Sequence, residues 1–286
     1  MTNLDQFESV FKAADKPPFR HELVALRSVL IITDMNAAAS ATYAEQVQAF
    51  LKVLGPASEM TWNTVVGDEY AGVAPLLQRV AEHDPDLICV YRNLHAAATE
   101  YPHSLGTYVD VLTQATRIPV MLLPHPHLPS ARQTTMLNTN SVMAVTDHVA
   151  GDHRLVSYAA AICEPGGTLY LTHLEDEATF ERYLRTIAKI PSLNTEDARE
   201  SILEQLLKDA RDYIDSCRRV LSEEHVDITI EDIVTVGHHL NEHKRLIQEC
   251  EVDVVVMNTK DEDQLAIHGL AYPLTIELRD TPLLLL

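Results

Sequence analysis

The chain has 286 residues, with 42 acidic side chains against 22 Lys and Arg and a formal charge of -20. That balance excludes binding through the phosphate backbone of nucleic acid, which depends on displacing counterions with Lys and Arg, and it excludes attraction to an anionic membrane surface. No run of about 18 apolar residues is present, and the first residues lack a basic stretch leading into an apolar one, so the expectation is a cytoplasmic chain without a membrane span or export signal.

The four cysteines, Cys89, Cys163, Cys217 and Cys250, lie in apolar or periodic segments without metal-type spacing and read as buried thiols. Residues 1–140 hold 14 acids and 9 bases (-5), and residues 141–286 hold 28 and 13 (-15), so the second half carries most of the charge, chiefly on helix surfaces.

Phe7, Val10 and Phe11 stand at helical spacing before Pro17-Pro18 and predict a short N-terminal packing helix. The run Val29 to Ile32 has no polar alternation, the pattern of a strand covered on both faces. A helix over 42–54 ends at Gly55-Pro56. A strand at 60–66 stops at Gly67, a helix spans 71–82, and a strand spans 87–91. Gly106 opens a helix to about 116, and residues 119–123 form a strand.

Residues 124–140, with Pro124, Pro126 and Pro129, read as a linker. The second half predicts a strand at 142–146, a helix at 153–163, a strand at 168–173 and a helix at 178–189. Next comes a long amphipathic helix at 195–222, with Leu203, Leu206, Leu207, Ala210, Tyr213, Ile214, Cys217 and Leu221 on one stripe that reads as core or interface. A strand at 226–234, helix at 239–250, strand at 253–257, helix at 269–279 and a closing strand complete it.

Three segments recur in one order. Residues 28–34, an apolar run ending on Asp34, return as 141–147 ending on Asp147; 86–90 return as 253–257; and the Pro-apolar run 118–123 returns as 281–286. A period this long indicates two copies of one domain, 1–130 and 138–286, and not a stacked array. The first half is shorter by roughly one helix-strand unit, so one strand fewer is expected there, or cover borrowed from the N-terminal segment. A single undivided sheet, or antiparallel strands lacking pseudo-twofold correspondence, would count against this reading.

In these motifs the chain resembles the universal stress protein family in its tandem form. The resemblance rests on a strand ending in Asp, a Gly after the strand before the third helix (Gly67, Gly237), an Asp-apolar strand, a Gly opening the last helix, and a final Pro-apolar strand. It covers nearly all of the chain from about residue 26. It implies an α/β fold of two doubly wound parallel-sheet, nucleotide-binding-like domains in tandem. Each would have five strands, related by pseudo-twofold symmetry and paired so that one chain mimics the family's homodimer.

Many members bind ATP through the strand-end Asp and a glycine loop after the fourth strand, where amides approach phosphate unobstructed. Counting back from Gly106-Thr107 puts Ala96 and Asn93 in place of the first two glycines. From Gly269 it puts Thr259 and Val256, with Leu270 replacing the hydroxyl. The resemblance therefore implies degenerate pockets, with the candidate nucleotide-contacting residues Asp34, Arg92 (in place of a glycine amide), Asn93, Gly106, Thr107, Asp147 and Gly269. No cofactor is firmly assigned; ATP in the first half is the one candidate.

Each candidate has a plainer reading. Asp34 and Asp147 are better read as caps of the following helices than as ligand contacts. His239 and His243, four apart on a predicted helix, have zinc spacing but no third ligand in sequence, so no metal site is assigned. His95, His103 and His268 lie in the two loops as polar contacts. No nucleophile elbow or Walker-type loop occurs. The sequence points to a non-catalytic stress-response protein that binds a protein or small molecule, paired within the chain and open to homodimerisation. The alternatives are an ATP-binding switch with slow hydrolysis and a metal-assisted hydrolase using the histidines.

Overall fold

A computed structural model describes residues 18–56, 58–96, 103–127, 136–146, 149–189, 195–237, 239–259 and 271–286. The expected helix at Phe7 to Phe11 falls outside them. Strands and helices alternate: β1 (Ser28–Ile32), α1 (Ala37–Phe50), β2 (Thr61–Val65), α2 (Val73–His83), β3 (Leu87–Tyr91), α3 (Thr107–Ala115) and β4 (Val120–Leu123). The second half holds β5 (Ser141–Val145), α4 (His153–Ile162), β6 (Gly167–Asp176), α5 (Glu177–Ile187), α6 (Thr195–Glu223), β7 (Ile228–Gly237), α7 (His239–Glu249), β8 (Val254–Met257), α8 (Ala271–Glu277) and β9 (Leu283–Leu285).

Among the described residues the strands join one sheet in the order β2-β1-β3-β4-β9-β8-β5-β6-β7. The sheet is undivided, against the expectation of two. Its order nevertheless mirrors itself about the centre, with β1, β3 and β4 matched by β5, β8 and β9, the three segments that recur in sequence. Every pairing is parallel except β4 with β9, which is antiparallel, Val120 opposite Leu285 and Leu122 opposite Leu283. The reason for the fusion is physical: each half ends in an entirely apolar strand that would be an exposed edge alone, and pairing these two edges satisfies their amides and buries their side chains.

Among the described residues the first half has four strands and the second five, the first of the two outcomes expected from its length, against the implied five per half. The central strands β1, β3, β4, β5, β8 and β9 are almost wholly buried, because helices cover both faces. The stripe of α6 enters the core from Ala210 to Leu221, while Leu203, Leu206 and Leu207 stay half-buried.

Residues 18–27 run over the second half before entering β1, so the cover they supply goes to that half. The Phe19 ring meets His153 and Tyr213 edge-on at 5.9 and 6.1 Å. The N–H groups of Phe19 and Glu22 donate to Ser216 Oγ (2.9 Å) and Ser157 Oγ (3.0 Å). Arg27 and Ser28 then anchor β1 through their N–H groups to the Asp86 carboxylate, both at 2.9 Å.

Candidate functional site

From β1 the chain moves to β2 on one side and later to β3 on the other, so the sheet order reverses between β1 and β3. In such sheets ligands lie outside the carboxyl ends at this reversal. Asp34 follows β1 there, and residues 92–96 follow β3.

Asp34 does not cap α1. Asn36 does, its Oδ1 accepting from the Ala39 N–H at 3.0 Å, because a cap must directly precede the first helical residue. The Asp34 carboxylate instead accepts from the Tyr91 hydroxyl and from the His95 N–H (2.8 Å), while the Asp34 N–H donates to the Tyr91 hydroxyl oxygen at 3.0 Å. Tyr91 is fully buried, and that burial, then its hydrogen bond to the carboxylate, pushes its phenol well above the usual tyrosine range. Behind Asp34, Gly67 lets the chain after β2 come close: a Cβ there would stand 2.5 Å from the Asp34 carbonyl oxygen.

The loop after β3 forms a tight turn, with the Ala96 N–H donating to the Asn93 carbonyl (3.0 Å) and the Asn93 N–H to that of Leu105 (2.8 Å). In its described part, 92–96, the left-handed positions are Asn93 (φ 58°) and His95 (φ 54°), so Ala96 is spared the geometry it tolerates poorly. Gly106, at φ 84°, lies against Asn93, where a Cβ would approach the Asn93 Cα to 2.8 Å. Thr107 starts α3 and is exposed. Asp34, Asn93, Gly106 and Thr107 thus share one end of the sheet.

Arg92 is engaged elsewhere. It is 5% exposed, and its Nη2 donates to the Leu278 carbonyl just past α8 at 2.9 Å, bridging the two halves. Burial, then the nearby Arg279 charge, lowers its pKa to about 10.

Of the rings around Asp34, sequence reading singled out His95 as a loop contact and missed the tyrosines. Tyr70 donates its hydroxyl to the Thr33 carbonyl at 2.9 Å. The His95 ring packs on Tyr70 (4.9 Å) and Tyr108 (5.4 Å), and His125 packs on Tyr91 (5.3 Å). Burial lowers the His125 pKa, partly offset by Asp34. Tyr91 was discoverable as the one hydroxyl-bearing residue at the carboxyl end of an otherwise apolar strand; Tyr70 and Tyr108 carried no signal in sequence.

Asp147 and Gly269 lie outside the described residues, as does His268. At the same end of the second half, Asp152 caps α4, its Oδ1 accepting from the Leu155 N–H (3.0 Å), and burial raises its pKa. Thr259 directs its N–H and hydroxyl to the Leu286 carbonyl at 3.0 and 2.9 Å, and Val256 lies inside β8. His243 is fully buried with its Nε2 3.5 Å from Thr172 Oγ1; the side chain of His239 is outside the described set. Among the described residues no group of three or more His, Cys, Asp or Glu side chains is placed to hold a metal, and no helix is long and apolar enough to cross a membrane.

No family model and no curated protein matches the sequence. Solved structures do. A functionally unknown protein from Pseudomonas aeruginosa PAO1 is 16% identical over 92% of both chains with a TM-score of 0.52. A protein from Pseudomonas aeruginosa UCBPP-PA14 assigned to the universal stress proteins is 15% identical, covering 92% of this chain and 93% of its own, with a TM-score of 0.53. A universal stress protein from Archaeoglobus fulgidus DSM 4304 is 12% identical, covering 90% and 95%, with a TM-score of 0.54. The likeness at this identity is one of fold.

Proposed function

We propose that this chain, which has the fold of the universal stress proteins, is a non-catalytic cytoplasmic stress-response protein with two copies of that fold in tandem. Its partner or ligand is a protein or small molecule other than a nucleoside triphosphate. The mirrored strand order supports the tandem reading, as do matches that run over nine-tenths of chains of like length.

One observation carries the functional part. The Asp34 carboxylate already holds the amide of His95, the kind of loop N–H that a phosphate would need, so residues 92–96 turn onto an internal anion. A polyphosphate entering here would lose that donor and meet the carboxylate charge at short range. Arg92, the nearest cation in the loop, is held at the centre of the sheet by Leu278. The second copy has an acidic loop in sequence, Asp261-Glu262-Asp263, which opposes a triphosphate in the same way.

A nucleotide-switch reading has one observation in its favour: Asn93 supplies the left-handed turn that a glycine would otherwise give. Nucleotide extracted from denatured purified protein, with calorimetric titration of Mg·ATP, separates the two. The binding-protein reading expects neither carry-over nor heat. Stoichiometric nucleotide that disappears in Asp34→Ala would establish the switch instead. Stoichiometric zinc that disappears in His239→Ala would establish the metal reading.

A further inference from the structure

The outermost strand, β7, pairs with β6 over ten residues, yet β5 supports β6 only as far as Leu171. Residues 172–176 of β6 and 233–237 of β7 therefore continue as a two-stranded parallel ribbon beyond the rest of the sheet. Such a ribbon is weak alone, and an open edge strand is a template for another strand.

The two ends of this edge differ. Arg218 on α6 donates from Nε to the Ile230 carbonyl at 3.1 Å and forms ion pairs with Asp215 and Asp232, covering the first part. A side chain reaching the Ile230 carbonyl in this way places it on the free side, so alternation turns the N–H and C=O of Val234 and Val236 outward as well. Among the described residues nothing pairs with them. The stretch Ile233-Val234-Thr235-Val236-Gly237 is uncharged, half-buried and without Lys or Pro to blunt it.

We propose that residues 233–237 are the docking edge for a second copy of this chain, paired antiparallel about a twofold axis through Thr235. That register sets Val234 of one copy opposite Val236 of the other. Each outward N–H then meets an outward C=O, and Thr235 faces itself in the closer, non-hydrogen-bonded position. The segment is complementary to itself, and Glu231 and Asp232 stay outside the paired stretch. The interface repeats, between chains, the edge-to-edge antiparallel pairing that already joins β4 to β9. Because each copy carries a charge of -20, association strengthens as salt screens the repulsion.

The test is sedimentation equilibrium of the full chain from about 50 to about 500 mM NaCl, where screening shortens severalfold. A dimer that grows at least severalfold with salt is expected. Val236→Pro removes only the outward N–H, a position at which an edge strand accepts proline. Val234→Lys adds a charge to the edge. Each weakens the dimer at least tenfold with the circular dichroism unchanged, while Thr61→Lys on the opposite edge strand leaves it intact. A monomer at every salt concentration up to about 1 mM protein overturns the proposal. A dimer indifferent to both β7 variants overturns it too. Crosslinks from 233–237 to a foreign protein, with none between copies, do the same and assign the edge to another partner.

Discussion

Gly67 follows β2 and Gly237 ends β7, yet an alanine should act differently at each. Neither has a positive φ, so the contrast is one of space. At Gly67 the added Cβ would lie 2.5 Å from the carbonyl oxygen, 2.7 Å from the carbonyl carbon and 3.1 Å from the Cα of Asp34. These are main-chain atoms, so no rotamer relieves the overlap and the segment after β1 must shift. Overpacking of this kind costs about 1–3 kcal/mol. The narrower unfolded ensemble of alanine returns about 0.4–1 kcal/mol, leaving a net loss of roughly 1–2 kcal/mol.

For a chain of this size, that is a fall in Tm of about 2–8 °C. At Gly237 the nearest atom is a flexible side-chain carbon of Glu242 at 3.9 Å, so Gly237→Ala should be neutral or stabilising by about 0.4–1 kcal/mol. Thermal unfolding by circular dichroism measures both variants. Hydrogen exchange at the His95 amide adds a local readout, because moving Asp34 loosens the bond that protects it. If Gly67→Ala is as stable as the parent and the His95 amide exchanges at the parental rate, the close approach of the two chain segments is wrong.

Other substitutions probe the join and the second half. Arg92→Ala leaves the Leu278 carbonyl without its charged donor and opens space beneath it, for a loss of about 2–3 kcal/mol in urea unfolding. Arg92→Met fills the space and removes a buried charge, so it should recover most of that loss; equal losses in the two would mean that charge and not packing decides. Asp152→Asn keeps the cap while removing a carboxylate that burial disfavours. Its folded pKa lies above the unfolded value near 3.9, so the wild-type group favours the fold when protonated and costs stability as pH rises through the folded pKa. The variant should gain stability at pH 7 and lose that advantage below about pH 4, as read from unfolding midpoints across pH. Phe19→Ala should cost about 3–5 kcal/mol by emptying the contact with His153 and Tyr213.

The strands were legible because their cause is local: an unbroken apolar run such as Val29 to Ile32 belongs inside a sheet covered on both faces. The shortfall of the first half was legible from length, which left open whether a strand would be missing or cover borrowed. The join was not, since pairing Val120 with Leu285 depends on two edges meeting far apart in sequence. The strand-end place of Asp34 could be read, but its role was misjudged; in Asp34-Met35-Asn36-Ala37 the cap is the residue touching the helix, a rule the sequence already offered. Its partners come from residues 57 and 61 positions later, so only the folded chain brings them to the carboxylate. Arg92 was placed in the correct loop and given the wrong direction, because nothing nearby in sequence announces the helix end that draws it inward.

The antiparallel join has a consequence for synthesis. Leu123 ends β4 and Leu283 begins β9, 160 positions apart. At about 5–20 residues per second, an emerging polypeptide waits roughly 8–30 s between the two. Throughout that interval the nascent N-terminal unit holds an oily, unzipped flank beside the ribosome. A chaperone that shields Val120 to Leu123 until translation delivers its counterpart would determine how much product avoids aggregation.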